Sequence, residues 1–443
     1  MSTNADRGTR GAELHGQPSA PRPGFGSSRP EGLAGDLEEG LPLLPPEDAV
    51  QRLLDLAVER GISDLFFLCG EEDVQVAARH LGILRPLTRF PVELGRHCMA
   101  HIKAAAGMDV AEHRRPLDGR WLTRHHGRHV DLRISTIPTL YGEDFTLRLL
   151  VRESMLLNLD ALGLFRKEHN ELLKLLGSPS GLILVTGPTG AGKTTTLYAC
   201  LNQLNNGRRK INTIEDPVEY ALAGIRQSQV NPRLKLDFPD LLRGVLRQAP
   251  DVIMVGEIRD PVTAETAVRA ANSGHLVLAT LHAPGAAGAV QSLLSLEVHP
   301  HFVASCLRGV VAQRLVRTLC PECKVAVDLL LSPHTFDEVR PWLEAGEGET
   351  LYAARGCPRC GQTGYVARTG VFEVLTISED LRKLIQAREP TPALRRKAVQ
   401  EGMIEMRQAA LLAVARGQTT SEEVLRVVPP EYLGLEDGPP AKS

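Results

Sequence analysis

GPTGAGKT, at residues 187–194, lies between the apolar run LILVT and the stretch TTLYACLNQL. It satisfies the pattern G-x-x-x-x-G-K-[ST] in the context that this pattern requires, namely a buried strand, a glycine-rich turn and a helix. Backbone N–H groups and the positive end of the helix dipole would bind phosphate there. A coincidental glycine-rich turn is the alternative, against which the strand, the Lys-Thr pair and the helix argue together. The stretch therefore predicts an α/β fold with a nucleotide site.

The pattern predicts a separate role for each residue of the Lys-Thr pair. Lys193 would reach the β- and γ-phosphate oxygens, and the Thr194 hydroxyl would ligate Mg²⁺. ATP and Mg²⁺ are therefore the expected substrate and metal. The predicted nucleotide-binding residues are Gly187, Pro188, Thr189, Gly190, Ala191, Gly192, Lys193, Thr194 and Thr195.

Short apolar runs alternate with helix-like stretches on both sides of this loop. Between residues 163 and 282 these runs are LILVTG, INTIED, DVIMVGE and HLVLATLH. Such alternation predicts a parallel sheet covered by helices on both faces.

Turnover of a bound nucleotide needs an acidic group near the γ-phosphate. Glu257 follows the apolar residues 252–255, so its carboxylate at a strand tip would orient or deprotonate the attacking water. A surface glutamate that ends a core strand is the alternative. Glu215, Asp216 and Glu219 end another apolar run, and such a cluster suits an outer network around Mg²⁺ or water.

Two histidines flank the last of the apolar runs. His275 and His282 lie at opposite ends of SGHLVLATLH. A lone histidine at a strand end is more often structural than catalytic. The neighbouring acidic strands favour a catalytic role here.

Composition and charge limit the classes of protein. The chain has 443 residues, and its 51 basic and 53 acidic residues leave a net charge of −2, so charge gives no sign of nucleic-acid binding. No apolar stretch approaches the roughly 18 residues that cross a bilayer, and the amino terminus lacks the apolar core of a secretory signal. We therefore expect a cytoplasmic location.

Composition and periodicity also divide the chain. The first segment is rich in Gly, Pro and Ser and cannot bury enough apolar surface to fold. The expected divisions are a disordered tail at 1–46, a small α/β domain at 47–152, a linker at 153–162, the nucleotide-binding domain at 163–319, a tetracysteine subdomain at 320–372, a helical region at 373–430 and a disordered tail at 431–443.

Four cysteines form two close pairs. Cys320-x₂-Cys323 and Cys357-x₂-Cys360 are separated by 33 residues, a spacing typical of two knuckles that complete one tetrahedral Zn²⁺ site. Four protein ligands leave no open position, so the zinc would be structural. Two redox-active disulfides are the alternative, although neither pair opens a helix in a thioredoxin-like unit.

Four segments in order, GPTGAGKTTTLY, TIEDPVEY, LRQAPDVIMVGEIRD and SGHLVLATLH, resemble the four boxes of the secretion ATPase superfamily. The resemblance is closest to the type II secretion and type IV pilus assembly ATPases. It implies a RecA-like P-loop ATPase core after a small PAS-like domain, and a hexameric motor with ATP between its subunits. The zinc insertion fits the assembly and secretion branch rather than the pilus retraction motors.

The resemblance also implies roles for single residues. Lys193 and Thr194 would act on phosphate and Mg²⁺, and Glu257 would be the catalytic glutamate. Arg133 and Arg148 match family arginines that approach the phosphates, where they would neutralise charge on the γ-phosphoryl group. The alternative is that both are strand-face arginines that contact only water. The other family roles fall on Glu215, His275 and His282.

The expected partners are further copies of the chain and an inner-membrane platform protein, which would give peripheral attachment to the inner membrane. Two other functions are open. Departures from the family pattern, such as Ala249 in QAPD, suit a nucleotide-binding scaffold that assembles with an active paralogue. The arginines of residues 113–133 suit a DNA motor, but a solvated face or subunit interface is favoured because aromatic stacking residues are scarce.

Overall fold

The computed structural model describes residues 40–151, 158–327 and 335–433. Most of both predicted disordered tails (1–39 and 434–443) and residues 153–157 of the predicted linker lie outside the described residues. So do residues 328–334 of the predicted tetracysteine subdomain. None of the helices in the described ranges combines the length and apolar character that a bilayer crossing needs.

An antiparallel sheet with two helices forms the amino-terminal domain. The strands lie in the order β3-β2-β1-β6-β5-β4, and each neighbouring pair is antiparallel. The elements are α1 Pro46–Glu59, β1 Asp64–Cys69, β2 Asp73–His80, β3 Ile83–Pro91, α2 Val92–Ala105, β4 Leu117–His125, β5 Arg128–Thr139 and β6 Gly142–Val151.

Alternation along the strands decides which side chains face the two helices. In β5, Val130, Leu132 and Ile134 are buried in the core formed with α1 and α2. Successive strand residues point to opposite faces, so Arg133 lies on the other face. Its register partner across the sheet is Arg148 on β6.

A seven-stranded sheet organises the rest of the chain. Its order is β15-β12-β7-β11-β10-β8-β9. All neighbours are parallel except β12 and β15, which are antiparallel. The strands are β7 Gly181–Thr186, β8 Ile211–Glu215, β9 Arg226–Gln229, β10 Val252–Val255, β11 Leu276–Leu281, β12 Leu307–Leu319 and β15 Tyr365–Thr376.

Helices cover both faces of this sheet. Leu182 and Leu184 of β7 belong to one core cluster, whereas Ile183 and Val185 belong to the cluster on the opposite face. Burial on both faces explains the uninterrupted apolar run and confirms the predicted α/β fold. The helices between the strands are α3 Arg166–Leu176, α4 Lys193–Leu204, α5 Phe238–Leu246, α6 Pro261–Asn272, α7 Ala286–Ser295 and α8 Pro300–Cys306.

The predicted helical region follows β15. Its helices are α9 Glu379–Gln386, α10 Thr391–Gln400, α11 Met406–Ala415, α12 Ser421–Val427 and α13 Pro430–Leu433. Residues of α9, α10 and α11 extend the core cluster on one face of the large sheet. The buried carboxylate of Glu423 fixes α12 to β12 through Arg317, whose Nη2 lies 2.7 Å from Glu423 Oε2.

The tetracysteine segment leaves the sheet after β12 and returns at β15. It contains a small antiparallel pair, β13 Val325–Val327 and β14 Leu351–Ala353. Residues 365–372, which sequence analysis assigns to this subdomain, form the first part of β15 in the large sheet. The insertion is therefore held at both ends by neighbouring strands.

Candidate active site and metal centre

The phosphate loop joins the end of β7 to α4. Gly187 has φ 149°, and a Cβ atom there would lie 2.5 Å from the carbonyl oxygen of Gln313. Gly192, at the N-cap of α4, has the left-handed φ of 86°. Gln313 on β12 also donates a hydrogen bond from Nε2 to Ala191 O at 2.6 Å. Glycine is thus required by close approach at one position and by backbone conformation at the other.

Lys193 is folded back over the loop that it ends. Its Nζ donates to Gly187 O at 2.8 Å and to Pro188 O at 3.2 Å. Burial lowers the pKa of Lys193, and the nearby carboxylate of Glu257 partly opposes that shift. Thr194 follows in the first turn of α4, where it is exposed.

A row of contacts connects Lys193 to the predicted catalytic glutamate. Lys193 Nζ lies 3.4 Å from His282 Nδ1, and His282 Nε2 lies 2.9 Å from Glu257 Oε1. A neutral imidazole protonated on Nε2 fits both contacts, since Nδ1 then accepts and Nε2 donates. The structure therefore brings these three predicted residues together beside the phosphate loop.

Arg259 sets the charge state of Glu257. Burial alone would raise the pKa of Glu257, but the hydrogen bond and charge of Arg259, together with His282 and Lys193, outweigh burial and lower it. Arg259 Nη2 lies 2.6 Å from Glu257 Oε2. A carboxylate held in its charged form can orient a water molecule or accept its proton.

Glu215, predicted to take part in an acidic network around Mg²⁺ or water, lies at the end of β8 in a buried hydrogen-bond network. It is buried at 3% exposure and accepts hydrogen bonds from Tyr198 Oη, from Thr213 Oγ1 at 2.5 Å and from Gln227 Nε2 at 3.1 Å. Burial raises the pKa of Glu215 despite these donors. This network ties α4 to β8 and β9.

His275 is not brought to the site. It precedes β11 whereas His282 follows it, and a six-residue strand separates its ends by about 20 Å. His275 Nδ1 lies 3.0 Å from Ala270 O, in a small pocket at the amino ends of the strands that also includes Arg209 and Ser273. Two histidines at the two ends of one strand therefore lie at opposite edges of the sheet, and only His282 lies at the edge with the phosphate loop.

The two predicted arginines are engaged by carboxylates. Arg133 Nη2 lies 2.8 Å from Glu219 Oε2 and donates to Val218 O at 3.3 Å, so it reaches from the amino-terminal sheet to the acidic turn after β8. Arg148 Nε lies 3.0 Å from Asp64 Oδ1 within its own domain. Neither contact involves the phosphate loop.

Three of the six arginines between residues 113 and 133 lie beside carboxylates, namely Arg133 and also Arg120 and Arg114. Arg120 forms a two-point pair with Asp131, with Nε 2.8 Å from Oδ1. Arg114 Nε lies 3.6 Å from Glu112 Oε1. These pairs reduce the field that a phosphate backbone would meet.

The four paired cysteines converge. Their Sγ atoms all lie within 4.8 Å of one another. The Cys320–Cys357 and Cys323–Cys360 separations are 3.8 Å, and Cys357–Cys360 is 3.7 Å. Tetrahedral zinc with Zn–S bonds of about 2.3 Å requires S–S distances of about 3.8 Å. The donor set therefore fits Zn²⁺.

Backbone donors surround the same sulfur atoms. Cys360 Sγ accepts from Cys357 N and Gly364 N, both at 3.2 Å, and Cys323 Sγ accepts from Gly356 N at 3.3 Å. Such N–H groups stabilise thiolates and orient them toward a metal. With four sulfur ligands, the site leaves no position for substrate.

Sequence reasoning missed Arg259 and Gln313. Arg259 could have been found, because it is a basic residue only two positions after Glu257, and the two side chains form an ion pair. Gln313 gave no signal, since it reaches the phosphate loop from a strand more than a hundred residues later.

A phosphate loop at the carboxyl edge of a helix-covered parallel sheet, with a histidine and a charged glutamate beside its lysine, defines a RecA-like P-loop ATPase. The profile of the family described as Type II/IV secretion system protein matches residues 43–426. The chain belongs to this family.

Relatives and a solved structure agree. The chain is 42% identical over 406 residues to Type II secretion system protein E of Dickeya dadantii, covering 90% of this chain and 80% of the relative. It is 41% identical over 404 residues to Type II secretion system ATPase E of Vibrio cholerae, covering 89% and 79%. The crystal structure of the pilus retraction motor PilT with bound ADP is 25% identical with a TM-score of 0.56, covering 85% of this chain and 96% of that one. The predicted family and fold are confirmed.

Proposed function

We propose that this chain is the ATP-hydrolysing motor of a type II secretion machine. Family membership supports a motor ATPase, and relatives at 41–42% identity carry type II secretion names, one of them an ATPase. The proposal includes assembly as a homo-hexamer with ATP between subunits. It also includes recruitment to the inner membrane by a platform protein.

The observation that carries the proposal is the contact row Lys193–His282–Glu257 beside the phosphate loop. Lys193 would turn from its loop carbonyls to the β- and γ-phosphates, and Thr194 would hold Mg²⁺. Glu257 would orient the attacking water and accept its proton, with His282 fixing the carboxylate. The charged form of Glu257, favoured by Arg259, is the form that this role needs.

The remaining assigned residues have supporting parts in the proposal. Arg133 and Arg148 would neutralise phosphate charge once released from their carboxylates, in this or a neighbouring subunit. Glu215 would hold α4 behind the phosphate loop. Cys320, Cys323, Cys357 and Cys360 would hold structural zinc, so the metal takes no part in hydrolysis.

The test is steady-state ATP hydrolysis with and without Mg²⁺, for the wild type and Glu257→Gln. We expect Mg²⁺-dependent turnover that falls at least about 100-fold in the variant, as for loss of a catalytic base. Glu265→Gln is the matched control, because Glu265 is an exposed glutamate on α6. Nucleotide binding without hydrolysis in the wild type would instead favour the scaffold function, and hydrolysis stimulated by DNA would favour a DNA motor.

A further inference from the structure

Thr186 binds the backbone on both sides of His282. It is the last residue of β7 and is fully buried. Its Oγ1 accepts from Ala283 N at 2.8 Å and lies 3.1 Å from Leu281 O and 3.0 Å from Ala283 O. Since a hydroxyl carries one proton, it donates to one of these carbonyls at a time.

This hydroxyl acts where the strand ladder ends. The parallel register of β7 and β11 stops at the pair Thr186 and Leu281, because the next residue, Gly187, turns into the phosphate loop. Among the strands that the structure describes, none pairs with the backbone around His282 beyond that point. The Thr186 side chain supplies the missing partner.

Thr280 binds the backbone on both sides of Glu257, as Thr186 does for His282. The register of β10 and β11 ends at Val255 and Ala279. One residue further, Thr280 Oγ1 donates to Gly256 O at 2.6 Å, and Thr280 O accepts from Ile258 N at 2.9 Å. The residues before and after Glu257 are therefore both bound to Thr280, which is 3% exposed.

We propose that Thr186 and Thr280 are positioning residues that hold His282 and Glu257 in the geometry required for hydrolysis. Each acts through the backbone of its neighbour, and neither needs to contact the nucleotide. The inference rests on the proposed function. The two hydroxyls fix the ends of the 2.9 Å contact between His282 Nε2 and Glu257 Oε1.

The experiment replaces each threonine by valine, which keeps the shape and removes the hydroxyl, and by serine, which restores the hydroxyl. We expect each valine variant to lower kcat about tenfold or more, since small misplacements of reacting groups are costly. KM and the affinity for ADP should change by less than about twofold, because the phosphate loop is intact. Each serine variant should regain most of the lost kcat.

Thr136→Val is the matched control. Thr136 is a buried strand threonine of the amino-terminal domain whose hydroxyl accepts from Leu117 N at 3.3 Å, so it tests loss of a buried hydroxyl away from the site. Valine variants that retain wild-type kcat, or serine variants that fall as far as the valine variants, would overturn the inference.

A crystal structure of Thr186→Val provides a readout independent of turnover. We expect His282 to have moved out of its contact with Glu257, and an unmoved contact would contradict the inference. If the wild type itself shows no hydrolysis, the proposed function fails, and this structural comparison still decides whether Thr186 positions His282.

Discussion

Arg259 favours the charged form of Glu257, and we therefore expect Arg259 to influence how kcat depends on pH. The pKa of Glu257 is lowered below its ordinary value mainly by Arg259 acting against burial. A base works only above its pKa, so removal of the arginine by Arg259→Gln should raise that pKa and move the acidic limb of the kcat–pH profile to higher pH. The measurement is kcat against pH for both proteins.

Arg269→Gln serves as the control for that profile, because Arg269 is an exposed arginine paired with Glu265 on α6. Its acidic limb should coincide with that of the wild type. A limb that stays in place in Arg259→Gln, or that moves to lower pH, would show that Glu257 is not the group that titrates.

Tyr198 carries a stability prediction. Its hydroxyl donates to the buried carboxylate of Glu215, and hydrogen bonds to charged groups contribute about 1.5–3 kcal/mol. Tyr198→Phe should therefore lower the free energy of unfolding by about that amount, while Thr213 and Gln227 continue to bond Glu215. The urea midpoint is the measurement, with the exposed Tyr141→Phe as control, and equal midpoints would contradict the expectation.

The predicted residues that the structure brings together beside the phosphate loop share one property. His282 follows β11 directly, Glu257 lies two residues after β10, and Lys193 follows β7 across the phosphate loop. The carboxyl ends of parallel strands meet at one edge of the sheet. Glu215 is the last residue of β8, but its buried carboxylate accepts a hydrogen bond from Tyr198 of α4, a contact between residues of different elements. Sequence position predicts which edge a residue occupies, and packing alone decides where its side chain points.

Removal of zinc tests whether the tetracysteine cluster stabilises the insertion between β12 and β15. Zinc would close the insertion between β12 and β15, and structural zinc is bound strongly enough to decide local folding. We expect one zinc ion per chain, lost in Cys357→Ser, with new protease cleavage between residues 320 and 364. The large sheet should persist, because β12 and β15 pair over eleven registered positions.

Cys69→Ser is the control for zinc content, since Cys69 lies in the amino-terminal domain and outside the cluster. It should retain the full zinc content by atomic absorption. A wild-type protein without zinc, or a Cys357→Ser protein with unchanged zinc, would contradict the metal assignment.

Some strands of the large sheet can be predicted from the sequence, whereas the strand that follows the insertion cannot. Buried strands such as β7 and β10 are evident because both faces are covered and the apolar run is continuous. Sequence analysis assigns residues 365–372 to the tetracysteine subdomain, whereas they form the first part of β15. Their pairing with β12 depends on residues some fifty positions earlier, and no local pattern encodes such a long-range register.

At the scale of the whole molecule, the contact between Arg133 and the acidic turn after β8 links the two sheets. The amino-terminal domain thereby presents an arginine to the domain that carries the phosphate loop. The sequence predicted both the arginine and the acidic turn but gave no indication that they would meet. In the motor that we propose, this ion pair must break before Arg133 can reach a phosphate group.

Exchanging the charges of Arg133 and Glu219 distinguishes two possible roles of Arg133, which are to neutralise phosphate charge and to join the two domains. Arg133→Ala should reduce kcat at least about 100-fold if the guanidinium neutralises phosphate charge, as arginines do in related chemistry. The double variant Arg133→Glu, Glu219→Arg restores an ion pair across the domains but places no cation at position 133. We therefore expect it to recover thermal stability lost in Arg133→Glu and to remain as inactive as Arg133→Ala. Recovery of hydrolysis in the double variant would show instead that Arg133 serves only to join the domains.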